Sequence, residues 1–168
     1  SLAGPLLGAV DFLSSYPWGC TEQTLSSFVP NLMVQRALTQ LKLPPTEQLK
    51  SLDRKVSEGL QRLYDYQHED GGWGWWKTDE NHPFMTAYAV YGLLEAKTAG
   101  FKVEEGRLGD GARSVKKQYA AFPKAVPELK AYMTYVLVLA ASRGVEGEVY
   151  GDDPRWERDA AVTEVWDA

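Results

Sequence analysis

Cys20 and Gln23 are the side chains in this 168-residue chain whose types and spacing suit covalent chemistry of their own. They sit three residues apart in Tyr16-Pro17-Trp18-Gly19-Cys20-Thr21-Glu22-Gln23-Thr24, where a loop enters a helix, so both can project from one face of its first turn. If the Cys20 thiol displaces ammonia from the Gln23 carboxamide, the product is an internal thioester, a ring of about fifteen atoms that one helical turn can close. Such a bond is a stored electrophile and needs shelter from water. Gly19 allows close backbone approach, and Tyr16 and Trp18 are the candidates for the shield.

The residues alone leave competing readings open. A lone cysteine is commonly a small buried hydrophobe, and Gln23 can be an ordinary polar residue of a first helical turn. Cys20 near a helix N-terminus would also suit a Cys/His hydrolase, because the helix dipole favours the thiolate. That would require His68 or His82 to reach it through the fold. Neither is close in sequence, and no His/Cys/Asp spacing matches a zinc site, so the histidines are expected to be loop or surface residues, with no metal and no cofactor. Glu69-Asp70 and Asp152-Asp153 read as solvated turn residues. Trp73, Trp75 and Trp76, separated by glycine, read as anchors of a loop to the core.

The elements that must position the pair follow from composition and pattern. A hydrophobic content of 44% with 24% charged residues predicts one soluble domain, 1–168, with a core of its own. The net charge of −5 arises from interleaved acids and bases without a basic block, which argues against a nucleic-acid partner. The first residues lack the basic segment of a secretory signal, so the chain reads as a mature piece or an excised fragment. Its single cysteine cannot form an internal disulfide.

No stretch alternates with period two, and the chain reads as all-α. Helices are expected over Leu2–Leu13, Thr21–Leu41, Thr46–Gln67, Pro83–Ala99, Ala112–Ala121 and Pro127–Ser142, with a final one from Pro154. Leu49, Leu52, Val56, Leu60 and Leu63 give the clearest amphipathic stripe. The run Tyr132–Ala141 is apolar on nearly all sides and is expected to be buried, which calls for more than one layer of helices.

The stretch 16–24 resembles the thioester motif of the alpha-2-macroglobulin and complement family, most closely its bacterial members. The similarity continues through Asn31-Leu32, the tract Tyr66–Trp76, His82–Tyr88 and Val90-Tyr91-Gly92-Leu93. It covers residues 2–143, leaving 144–168 as a polar tail or further helix. The resemblance implies an α/α toroid of helical hairpins, here incomplete because such domains run to roughly twice this length; an open edge of that kind would favour self-association. It implies that Cys20 and Gln23 form the thioester.

The function implied is that of a broad-spectrum protease inhibitor, not a turnover enzyme. The Cys-Gln thioester would acylate lysine amines of target proteases in a single-use reaction, beside neighbouring domains of a full-length protein. The setting implied is host defence in the periplasm or cell envelope, with a lipid anchor in the inner membrane. Two departures bear on the chemistry. Thr21 replaces the glycine of the vertebrate motif, and no histidine stands in 117–127, where complement proteins carry one that favours hydroxyl acceptors, so amine acylation is expected. The alternative is a non-reactive helical interaction module of the same architecture, with the cysteine and glutamine unlinked.

Overall fold

Five helices account for most of residues 19–40, 47–121 and 126–145, the parts of the chain that this computed structural model describes. They are α1 (Thr21–Gln40), α2 (Glu47–Tyr66), α3 (Pro83–Thr98), α4 (Glu105–Ala121) and α5 (Pro127–Ser142), and no strand occurs among the described residues. The helix expected at Leu2–Leu13, the shield candidates Tyr16 and Trp18, the Leu49 side chain, Asp152-Asp153 and the helix from Pro154 lie outside the described residues.

Sequence pattern fixes where each helix sits. On α2, Leu52, Val56, Leu60 and Leu63 form one buried stripe, while Arg54, Glu58 and Asp65 face water. That makes α2 a helix packed mainly on α1, with a lighter contact to α3. By contrast α3 is apolar on nearly every side and buries ten residues from Met85 to Ala96. It contacts all four other helices, and α4 packs on both α3 and α5. The described chain is therefore a set of helical hairpins, α1 with α2 and α3 with α4, gathered around α3.

Proline and glycine mark the ends. Pro83 and Pro127 open α3 and α5 in the first turn, where a missing N–H costs nothing. Gly100 and Gly144, at φ 91° and 65°, follow their last turns.

Two expectations need correction. The fourth helix begins at Glu105 and runs through Gly109 and Gly111, where a start at Ala112 was expected from those glycines. The reason is tertiary: a Cβ at Gly111 would stand 2.8 Å from Val90 and 2.9 Å from the Trp73 ring, so close packing against α3 outweighs the weak helix propensity of glycine. The second correction concerns α5, which buries Met133, Val136, Leu137 and Ala140 but leaves Tyr135 and Val138 exposed. Its partners α3 and α4 cover one side of it.

Polar chemistry also ties these helices together. Glu95 on α3 is only 6% exposed and accepts Arg143 Nη2 at 2.8 Å, with Arg36 of α1 at 3.8 Å from its other oxygen. A buried carboxylate is tolerable when its charge is paired in this way.

Candidate functional site

Cys20 occupies the position just before α1, so its carbonyl accepts the first helical hydrogen bond, from the Thr24 N–H at 3.0 Å. The Thr24 hydroxyl donates to the same oxygen at 3.0 Å. Gln23, three residues on, folds its carboxamide back so that Oε1 accepts the Cys20 N–H at 3.1 Å. This is the capping-box arrangement, in which a Glu or Gln at the third helical position satisfies the N–H of the cap residue. Here the cap residue carries a thiol in place of the usual hydroxyl. The local rule that satisfies the helix terminus thus brings an acyl group back onto the residue that bears the nucleophile.

Gly19 is required for that fold-back. A Cβ there would stand 2.7 Å from Gln23 Cβ and 2.8 Å from Oε1, so any side chain at position 19 displaces the carboxamide. Cys20 is 8% exposed whereas Gln23 is open to solvent, so the sulfur is sheltered and the acyl side faces outward.

The turn is held from two other places. The Thr21 N–H, an orphan donor of the helix start, donates to the Trp75 carbonyl at 2.8 Å. Tyr66, the last residue of α2, donates its hydroxyl to the Gly19 carbonyl at 3.4 Å. Trp75 belongs to the loop between α2 and α3, and Trp73 is the anchor of that loop. Its ring is fully buried, with Nε1 donating to the Leu63 carbonyl at 2.8 Å. The Thr86 hydroxyl accepts the Trp73 N–H and donates to the Trp73 carbonyl, both at 3.1 Å, and Gln118 Nε2 donates to Thr86 at 2.9 Å.

The loop's first turn is built from polar residues. His68 N–H donates to the Gly72 carbonyl, and Gly71 at φ 84° lies against the backbone of Asp110, where only glycine fits. His68 Nδ1 lies 2.7 Å from Asn81 Oδ1, an acceptor, which assigns the proton to Nδ1. Asn81 Nδ2 in turn donates to Asp70 at 2.6 Å. That amide holds the Asp70 carboxyl below its ordinary pKa; partial burial opposes it and the Gly72 N–H adds to it.

Of the sequence candidates, Cys20 and Gln23 are brought together. The histidines are loop residues, as expected, and both are half-buried, His68 in the loop network and His82 against the Trp75 ring at 5.8 Å between centroids. Among the described residues neither hydrogen-bonds Cys20. Asp70 is the exposed turn residue expected, its carboxylate accepting the N–H two residues on. The three tryptophans do not act alike. Trp73 anchors the loop, but Trp75 is 42% and Trp76 55% exposed. Both donate their backbone N–H to the Asp79 carboxylate, at 2.9 and 3.1 Å, which keeps them on the surface side of the loop.

Sequence reasoning missed Asp79, Asn81 and the Trp75 carbonyl. An aspartate three residues after Trp76 is a turn signal that could have been noticed. A main-chain carbonyl leaves no trace in the sequence.

Residues 4–118 match the family model for the A-macroglobulin TED domain. The chain is 36% identical over 117 residues to an alpha-2-macroglobulin of Thermotoga maritima and 30% identical over 134 residues to one of Rickettsia conorii. Those matches cover 70% and 77% of this chain, and in each case 7% of the relative's length. The structure resembles native Escherichia coli alpha-2-macroglobulin solved from domain MG7 to the C-terminus, with TM-score 0.62 and 25% identity over 84% of this chain and 24% of that one. The all-helical hairpin architecture is that of the helical toroid of these TED domains, as the sequence implied. The chain belongs to the alpha-2-macroglobulin family, as a thioester domain of the bacterial type.

Proposed function

We propose that Cys20 and Gln23 close an internal thioester and that this domain is the acylating part of a broad-spectrum protease inhibitor. The observation that carries the reading is the Gln23 carboxamide folded back onto the Cys20 backbone in a space that only glycine at position 19 leaves open. Closing the bond expels ammonia and joins Sγ to Cδ. In the later transfer an amine nitrogen bonds to Cδ, the Cδ–Sγ bond breaks, and the electron pair and a proton leave with sulfur as the Cys20 thiol. The product is a stable amide, so each domain acts once and is not an enzyme.

Lysine amines of a target protease are the acceptors in this reading. They are favoured because the segment between α4 and α5 offers no histidine to assist a hydroxyl. In the whole protein, of which this chain spans a small part, neighbouring domains would keep water from the bond until a protease is caught, in the periplasm or cell envelope.

A fluorescent primary amine tests the chemistry. Peptide mapping should find it on Gln23, with one Cys20 thiol released per label and none incorporated by Cys20→Ala. Label spread over other glutamines, or retained by Cys20→Ala, contradicts the assignment.

A further inference from the structure

A cleft of about 370 Å³ opens beside the Cys20–Gln23 turn, lined by Gly19, Arg62, Asp65, Tyr66 and Trp76. We infer that it is the subsite that receives the primary ammonium of the acceptor, with the Asp65 carboxylate as counter-charge and the Tyr66 and Trp76 rings as walls. The inference rests on the acyl transfer proposed above and names what that site recognises.

Four features support it. Gly19 forms part of the lining, and a Cβ built on it would stand 3.5 Å from Gln23 Cδ, so the cleft borders the residue that backs the acyl carbon. A lysine brings an apolar stem that ends in a cation, and the cleft is lined by two aromatic residues and a carboxylate. Asp65 is exposed and accepts Gln61 Nε2 at 3.2 Å, which leaves carboxylate lone pairs for an ammonium. The Trp76 ring is presented on a backbone already fixed by Asp79, so little order is lost when an acceptor binds. Before attack the docked ammonium gives one proton to water; the amine then bonds Gln23 Cδ and its second proton leaves with the Cys20 sulfur.

Arg62 lines the same cleft with the opposite charge to Asp65, and this provides a control of sign. The test compares acylation rates with Nα-acetyl-lysine methylamide and with hydroxylamine, which is largely uncharged at neutral pH. Asp65→Asn and Trp76→Ala should each lower the lysine-to-hydroxylamine ratio about threefold and together about tenfold, whereas Arg62→Gln should raise it. Unchanged ratios in all of these variants overturn the subsite and leave the thioester standing.

A second readout needs no bond. In Cys20→Ala, millimolar Nα-acetyl-lysine methylamide should shift the Trp76 indole NMR signal, and the uncharged norleucine analogue should not. Equal shifts, or none, overturn the subsite. A lysine-specific shift in Cys20→Ala, alongside a parent protein that keeps its full encoded mass, retains the cleft and removes the acyl-transfer reading.

Discussion

The Trp73–Trp76 tract of the loop between α2 and α3 uses one residue type in opposite ways at its two ends. Trp73 is sealed among α2, α3 and α4, with its indole and both backbone polar groups hydrogen-bonded to protein. Trp75 and Trp76, two and three residues later, present their rings to solvent and offer the turn before α1 only a carbonyl and a cleft wall. The buried end fixes the loop in the fold. The exposed end transmits that fixity to Cys20 and Gln23 through one backbone hydrogen bond. Stability and reactivity are therefore assigned to different tryptophans, and substitutions at the two should separate them.

The largest effect is expected at the buried end. Trp73→Ala should cost about 3–5 kcal/mol in a urea titration, from the lost burial and the cavity left against Gly111. A cost under about 1 kcal/mol would mean that the loop is not held by that ring. Glu95→Ala probes the same buried regime on the other side of α3. It leaves Arg143, whose side chain is 22% exposed, without its carboxylate, and the expected loss is about 3 kcal/mol. An urea midpoint equal to that of the parent protein would show the pair to be dispensable.

A smaller effect belongs to the polar turn that joins the two regimes. The folded-state pKa of Asp70 is depressed, so its contribution is present above the unfolded value of about 3.9 and is lost as pH falls through the lower folded value. Urea midpoints measured between about pH 5 and about pH 2 should fall with acid in the parent protein, and less steeply in Asn81→Ala, which lacks the amide that lowers the pKa. Parallel slopes would assign the acid sensitivity elsewhere. Smallest of all, Trp76→Ala should change stability by no more than about 0.5 kcal/mol, as for other exposed side chains. A larger loss would merge the two ends of the tract into one structural unit.

Much of this was legible in the sequence, for physical reasons that differ from residue to residue. The stripe on α2 and the proline starts of α3 and α5 are local signals, and helices formed where they predicted. The approach of Cys20 and Gln23 was legible because a three-residue spacing at a helix start is a local signal that puts both on one face. The start of α4 was not: Gly109 and Gly111 look like a break until Val90 and the Trp73 ring are placed against them. Exposure of Tyr135 and Val138 depends on which helices surround α5, and a pattern along one helix does not state that. The support of Thr21 by the Trp75 carbonyl spans more than fifty residues and uses no side chain, so no residue type announces it.

The central claim concerns one covalent bond, and intact mass reads it directly. Freshly purified protein should be about 17 Da lighter than its encoded sequence, the ammonia lost when Cys20 and Gln23 join. Gly19→Ala, which forces the carboxamide off the Cys20 N–H, should restore the encoded mass. Encoded mass in the parent protein, with an intact Gln23 amide and a Cys20 thiol open to alkylation, would contradict the account.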